Sequence, residues 1–152
     1  MRMIMLFLVS ATLLFSYEKG EVVEDTIKQN LKMKNNKIYV IDFFASWCNS
    51  CKKEMPYISK VNKQIDHTKF EIIGVDVDED PKKAEAFQKW LKQKGSLNFR
   101  VVNDPKNKII KRFAPIGMPA LYIVKNGKVV DYLFGARDHI DQLILKVLKE
   151  ME

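Results

Sequence analysis

Short apolar runs alternate with helical stripes along this chain. Residues 37–45 form an almost unbroken apolar run with Asp42 as its one carboxylate, the pattern of a strand buried on both faces. Over residues 49–66, Met55, Ile58, Val61 and Ile65 fall on one helical face, and Pro56 inside the stretch is expected to kink it. Residues 70–77 read as a second strand with Ile72, Ile73 and Val75 buried. Asp78, Glu79, Asp80 and Pro81 mark a helix start. That helix is predicted to run to residue 94, to turn Ala84, Phe87, Trp90 and Leu91 inward, and to stop at Gly95. A short strand over 99–102, a turn over 104–107 and a short helix over 108–113 come next. Strands over 121–124 and 129–134 flank Asn126-Gly127, a strong hairpin signal. Asp138 is expected to cap a last helix carrying Ile140, Leu143, Ile144, Val147, Leu148 and Met151 on one face. Strand–helix–strand units followed by a hairpin and a helix imply an α/β fold, a central mixed β-sheet with helices on both faces.

The two ends of the pattern differ from its middle. Arg2 precedes a short apolar run through Ser16, which reads as a signal peptide. The run is shorter than the roughly 20 residues of a membrane-spanning helix. No clear small-residue cleavage pattern follows it, so an uncleaved N-terminal membrane anchor stands beside cleavage, and a buried element of the fold is a third reading. No cysteine ends the run, which excludes a lipoprotein anchor. Residues 17–36 are polar; Ile27 and Leu31 are spaced for a short lead-in helix, with Asp25 as its candidate N-cap. Residues 37–152 then form one domain, with no repeat or low-complexity tract.

With 152 residues, 47% apolar and 30% charged, the chain can bury a core without disulfide staples. Its net charge is +7, and residues 1–16 contribute only Arg2 to it. The lysines are mixed with acids through helices and loops, so they read as a solvated basic surface rather than a nucleic-acid site. An acidic partner or a membrane surface stays compatible with it.

The only cysteines are Cys48 and Cys51, too few for a disulfide scaffold and therefore a reactive pair. They stand where a strand ends and a helix begins. The first helical turn has free N–H groups and a positive dipole end, so a thiolate at Cys48 is stabilised there and should be the attacking sulfur. Cys51, a turn further in, should be the shielded, resolving thiol. Such spacing lets the two cycle between dithiol and disulfide through a mixed disulfide. A structural zinc would need four ligands, and only His67 and His139 could join the cysteines, without metal spacing. Copper delivery through the two thiols is an alternative of another class. No cofactor or metal is expected.

Trp47-Cys48-Asn49-Ser50-Cys51-Lys52 after Val40-Ile41-Asp42-Phe43-Phe44-Ala45, together with Met118-Pro119 and the element order, resembles thioredoxin-fold proteins from about Lys37 to the C-terminus. The continuation Lys52-Lys53-Glu54-Met55-Pro56 resembles their extracytoplasmic TlpA/ResA-like branch. The resemblance implies a thioredoxin fold and a thiol–disulfide oxidoreductase. It implies a cis Met118–Pro119 bond facing the cysteines, with the Met118 backbone free to pair with an extended substrate. It implies that Asp42 lies beneath Cys51 and relays its proton, where burial should raise the carboxyl's pKa. Glu54 matches the acid of the Lys-Lys-Glu motif and is a second candidate for that task. Trp47 is expected to cover the site and its peptide-binding rim. Ala120 replaces the Thr often found after this proline. Asn49-Ser50 is neither the Gly-Pro of thioredoxin nor the Pro-His of strong oxidases.

The same resemblance implies protein disulfides as substrates, apocytochrome c in cytochrome c maturation among them. It implies a membrane thiol reductase as electron donor and a periplasmic or other extracytoplasmic location. A disulfide oxidase or isomerase of the same fold, and a static disulfide in a binding domain, are the competing readings.

Overall fold

The computed structural model describes residues 16–34 and 36–152. The expected signal peptide or anchor at residues 1–16 lies outside them except for Ser16. The elements run α1 (Asp25–Asn30), β1 (Ile38–Phe44), α2 (Asn49–Asn62), β2 (Phe70–Asp76), α3 (Pro81–Gln93), β3 (Arg100–Asn103), α4 (Lys108–Phe113), β4 (Ala120–Lys125), β5 (Lys128–Phe134) and α5 (Ile140–Lys149). Five strands form one mixed sheet in the order β3-β2-β1-β4-β5. β1 is central, parallel to β2 and antiparallel to β4, and all seven of its residues are buried. This is why its apolar run does not alternate with polar positions.

Alternation along β1 still divides the core. Ile38 and Val40 pack with Ile58 and Val61 of α2 and with Ile140, Ile144 and Leu148 of α5. Tyr39, Ile41 and Phe43 point the other way, into a cluster with Ile27 of α1, Leu31, and Ile109 and Phe113 of α4. That second cluster also reaches Cys48, Cys51, Phe87 and Leu91. Lys60 of α2 is ion-paired at 2.6 Å with the buried carboxylate of Asp141 in the first turn of α5. Between β4 and β5, Asn126 and Gly127 both take positive φ, 52° and 71°, as a two-residue hairpin turn requires.

The lead-in segment is built into the core. Tyr17, Val23 and Leu31 are buried, and residues 20–23 hydrogen-bond alongside the hairpin, with Gly20 N–H donating to Val129 and Val23 N–H to Gly127.

Several expectations need correction. Trp90 is not core: it is 43% exposed and stacks on Phe87 at the rim of α3. Its helix turns Ala84, Phe87 and Leu91 inward, and one more inward position would widen the apolar stripe beyond what the sheet covers. α2 ends at Asn62 rather than 66. There the Asp66 carboxylate accepts from the N–H and hydroxyl of Thr68, a local turn that competes with helix. The cap of α1 is Glu24, without a side-chain bond, and Asp25 instead pairs with Lys28 in the first turn at 2.6 Å. α5 is preceded by His139 at φ 54°, not capped by Asp138. Of the acids before α3, Asp80 caps the helix through Lys82 N–H, while Asp78 turns away from it. β3 begins at Arg100, one residue later than expected.

Candidate active site

Cys48 is the N-cap of α2. Its extended backbone (φ −88°, ψ 97°) breaks from β1 into the helix, and its Sγ accepts the N–H of Cys51 at 3.1 Å. A sulfur at this position meets a free helix N–H and the positive end of the helix dipole. The two cysteines are joined, with S–S 2.06 Å, χ3 77° and Cα–Cα 5.2 Å. Their exposures differ: Cys48 is 7% exposed and Cys51 1%. An incoming group therefore reaches Cys48 first.

Two carboxyls lie buried behind the turn. Asp42 is on the Val40 face of β1, the face that α2 covers. It is 2% exposed, and its Oδ1 has no hydrogen-bond partner. Burial drives its pKa well up, and the nearby Glu54 carboxylate adds to the rise. Glu54 of α2 is 6% exposed with an unpartnered Oε2. Burial raises it to about 7, against a partial opposing pull from the Arg137 guanidinium. The structure thus brings the two acids together, and burial raises both above the ordinary carboxylate range. A surface cavity of about 300 Å³, lined by Ser50, Lys53, Glu54, Tyr57 and the 136–138 loop, opens beside Glu54.

The Met118–Pro119 peptide bond is cis. β4 begins at Ala120, which pairs with Phe43 of β1. Antiparallel register therefore sets Pro119 beside the C-terminal end of β1, where the chain turns towards Cys48. Pro119 is buried and its carbonyl accepts Gly135 N–H at 2.9 Å. Trp47 is 64% exposed, and it shares a cavity of about 480 Å³ with Val77, Ile110 and Met118, edged by Glu79 and Lys111. Ile116, on the loop before the proline, is almost fully exposed.

Sequence reasoning missed Ser46 and Asp78. Asp78 sits just past β2 and is buried. Its carboxylate accepts both the N–H and the hydroxyl of Ser46, each at 2.7 Å. Their separation of 32 positions hides the pair from any local pattern. Only the parallel pairing of β1 with β2, which ends both strands at one edge, could have suggested it. Arg137, on the loop after β5, was likewise without signal. His67 and His139 are exposed, and among the described residues no group of His, Cys, Asp and Glu is arranged to hold a metal ion.

A sequence profile of the AhpC/TSA family matches residues 15–133. The thiol-disulfide oxidoreductase ResA of Bacillus thuringiensis is 28% identical over 131 residues, covering 83% of this chain and 73% of that protein. Thioredoxin 1 of Plasmodium falciparum is 32% identical over 115 residues, covering 75% of this chain and 84% of that one. Among solved structures, a Chlorobium tepidum protein provisionally named thiol:disulfide interchange protein DsbE superposes with a TM-score of 0.71 at 23% identity, over 89% of this chain and 98% of that one. A secreted Mycobacterium tuberculosis disulfide oxidoreductase, described as homologous to DsbE of E. coli, superposes with a TM-score of 0.61 at 24% identity, over 76% and 83%. At these identities the structural likeness is one of fold.

Proposed function

This chain belongs to the AhpC/TSA family, as a thioredoxin-fold thiol–disulfide oxidoreductase of the ResA and DsbE type with a CxxC pair, and from that premise we propose that it reduces protein disulfides through Cys48 and Cys51. The observation that carries the reading is the asymmetry of the pair: Cys48 at the helix start with its sulfur facing an N–H, Cys51 covered behind it.

In the reduced protein the Cys48 thiolate attacks one sulfur of a substrate disulfide. A Cys48–substrate disulfide forms, and the other substrate sulfur leaves as a thiolate. Cys51 then loses its proton to the Asp42–Glu54 pair and attacks Cys48 Sγ. The second substrate thiol departs, and the Cys48–Cys51 disulfide remains, the state of this structure. Two electrons have passed to the substrate, and a thiol donor must return them. Trp47, Met118 and Pro119 hold the substrate segment beside Cys48.

Finer parts of the proposal rest on family likeness and on the sequence. They are export directed by residues 1–16, with cleavage or retention as an anchor, work outside the cytoplasm, electrons from a membrane thiol reductase, and apocytochrome c among the substrates. Among the described residues no helix is long and apolar enough to cross a membrane.

Two measurements test the reading. Cys51→Ser, reduced and mixed with a disulfide-bonded protein, should accumulate a mixed disulfide on Cys48, and Cys48→Ser should form none. The equilibrium potential of the pair in a glutathione or dithiothreitol buffer should lie near thioredoxin's, about −270 mV. A value near about −120 mV would make the protein an oxidant and end the reductant reading.

A further inference from the structure

The turn from β1 into α2 is short, residues 45–48. Within it Cys48 N–H donates to Ala45 at 3.1 Å. On its helix side Cys51 N–H donates to Cys48 Sγ and Lys52 N–H to the Cys48 carbonyl, and on its strand side the turn is held by Asp78, just past β2. Asp78 receives Ser46 N–H on Oδ2 and the Ser46 hydroxyl on Oδ1, each at 2.7 Å. Short bonds to an ionised acceptor are among the stronger protein hydrogen bonds.

Asp78 is itself fixed from behind. Its N–H donates to Asp76 Oδ1 at 3.0 Å, and Gln88 of α3 donates to Asp76 Oδ2 at 2.8 Å. Gln88 Nε2 also donates to Asn103 of β3 at 2.7 Å. Between the two acids, Val77 N–H donates to Phe44 at the end of β1, at 3.0 Å. A continuous bonded path thus runs from α3 and β3 to the residue two before Cys48, through acids that are almost fully buried. Burying two carboxylates beside a turn is costly unless they are hydrogen-bonded, and here each accepts two bonds.

We propose that Ser46 and Asp78 are positioning residues of the redox centre, a clamp that holds the turn so that Cys48 Sγ stays on the first free N–H groups of α2. The proposal rests on the reading of Cys48 as the attacking thiol. Neither side chain touches the sulfur; they act through the backbone of Ser46 and Trp47. The clamp's effect is on the thiolate. If the turn drifts, the sulfur leaves the helix N–H groups, and its pKa moves back towards that of a free thiol.

Charge and geometry predict opposite signs, which makes the clamp testable. Asp78→Ala removes a nearby negative charge, and by electrostatics alone this would favour the Cys48 thiolate. By loss of positioning it disfavours it. Ser46→Ala changes no charge and removes one of the two bonds.

The measurement is the rate of iodoacetamide alkylation of Cys48 in the reduced full-length protein, mapped by peptide mass and followed against pH. Each variant's fold is checked by its thermal transition. With positioning, alkylation of Cys48 near neutral pH slows about tenfold in Asp78→Ala and about threefold in Ser46→Ala, with the titration displaced upward to match. A merely structural bond would lower the transition temperature and leave the titration where it was. Unchanged or faster alkylation in folded variants overturns the proposal. If Asp78→Ala does not fold, Ser46→Ala decides alone. If Cys48 of the unaltered protein is not the faster-alkylated thiol, the functional reading fails as well; if it is, an unaltered rate in the variants removes only the clamp.

Discussion

Glu54→Gln should stabilise the protein in a strongly pH-dependent way. The Glu54 carboxyl is 6% exposed, its Oε2 lacks a partner, and its pKa rises from an ordinary 4.5 to about 7. That gap, roughly 2.5 pH units at 1.36 kcal/mol each, is about 3 kcal/mol. Below pH 4.5 the group is protonated in native and unfolded chains alike, so it adds no slope. Between 4.5 and 7 the native state keeps a proton that the unfolded state has lost, so stability falls as pH rises. Above 7 both states are ionised and the penalty is complete. Gln cannot ionise and is close in shape. The stability of Glu54→Gln relative to the unaltered protein should therefore rise by about 3 kcal/mol between pH 4 and pH 8. Asp42 and Asp76 also sit above their ordinary range through burial, but both proteins contain them. The difference cancels their slopes, apart from the relief that Asp42 feels when the neighbouring charge goes. Urea unfolding of the oxidised forms at pH 4, 6 and 8 reads it, as a midpoint displaced by about 1 M or more at pH 8. Parallel pH curves for the two proteins would refute the buried, unpaired account of Glu54.

Asp42→Asn should lengthen the life of the Cys48–substrate disulfide by about 10²-fold near neutral pH, with little change in the first attack; stopped-flow on a mixed disulfide reads this, and an unaltered resolution rate would leave the proton to Glu54. Trp47→Ala, at a 64% exposed position, should change stability by less than about 0.5 kcal/mol yet raise KM for a protein disulfide, and equal KM values would remove Trp47 from the rim. Gly74→Ala should cost about 1–3 kcal/mol: a Cβ there would meet Phe44 Cε1 at 2.7 Å and Phe99 Cε2 at 3.0 Å, so an unchanged thermal transition would show that those rings yield freely.

Much of this protein is written in local pattern. The seven buried positions of β1, the Asn126-Gly127 hairpin and Asp80 at the head of α3 each follow from residues within a turn or two of one another. The cysteines belong here too, because a strand, two cysteines and a helical stripe place a sulfur at a helix start without reference to the rest of the chain. Local pattern failed where two local choices compete. Asp66 could continue a helix or close a turn on Thr68, and it closes the turn. Trp90 fits the inward stripe of α3 by spacing, but its width puts it at the edge.

The chemistry around the cysteines was decided elsewhere. Glu54 reads from sequence as an acid on a helix, and nothing in its neighbours says that the face it occupies is covered. Its burial, its approach to Asp42 and its pKa near 7 appear only when α2 lies down on β1. The Ser46–Asp78 clamp needs β1 and β2 to pair in parallel and end together. The sequence by itself determined where the two thiols stand, since a strand end and a helix start are local facts. Tertiary structure decided how those groups are tuned, because burial and through-space charge depend on what packs against a side chain, and that comes from distant parts of the chain.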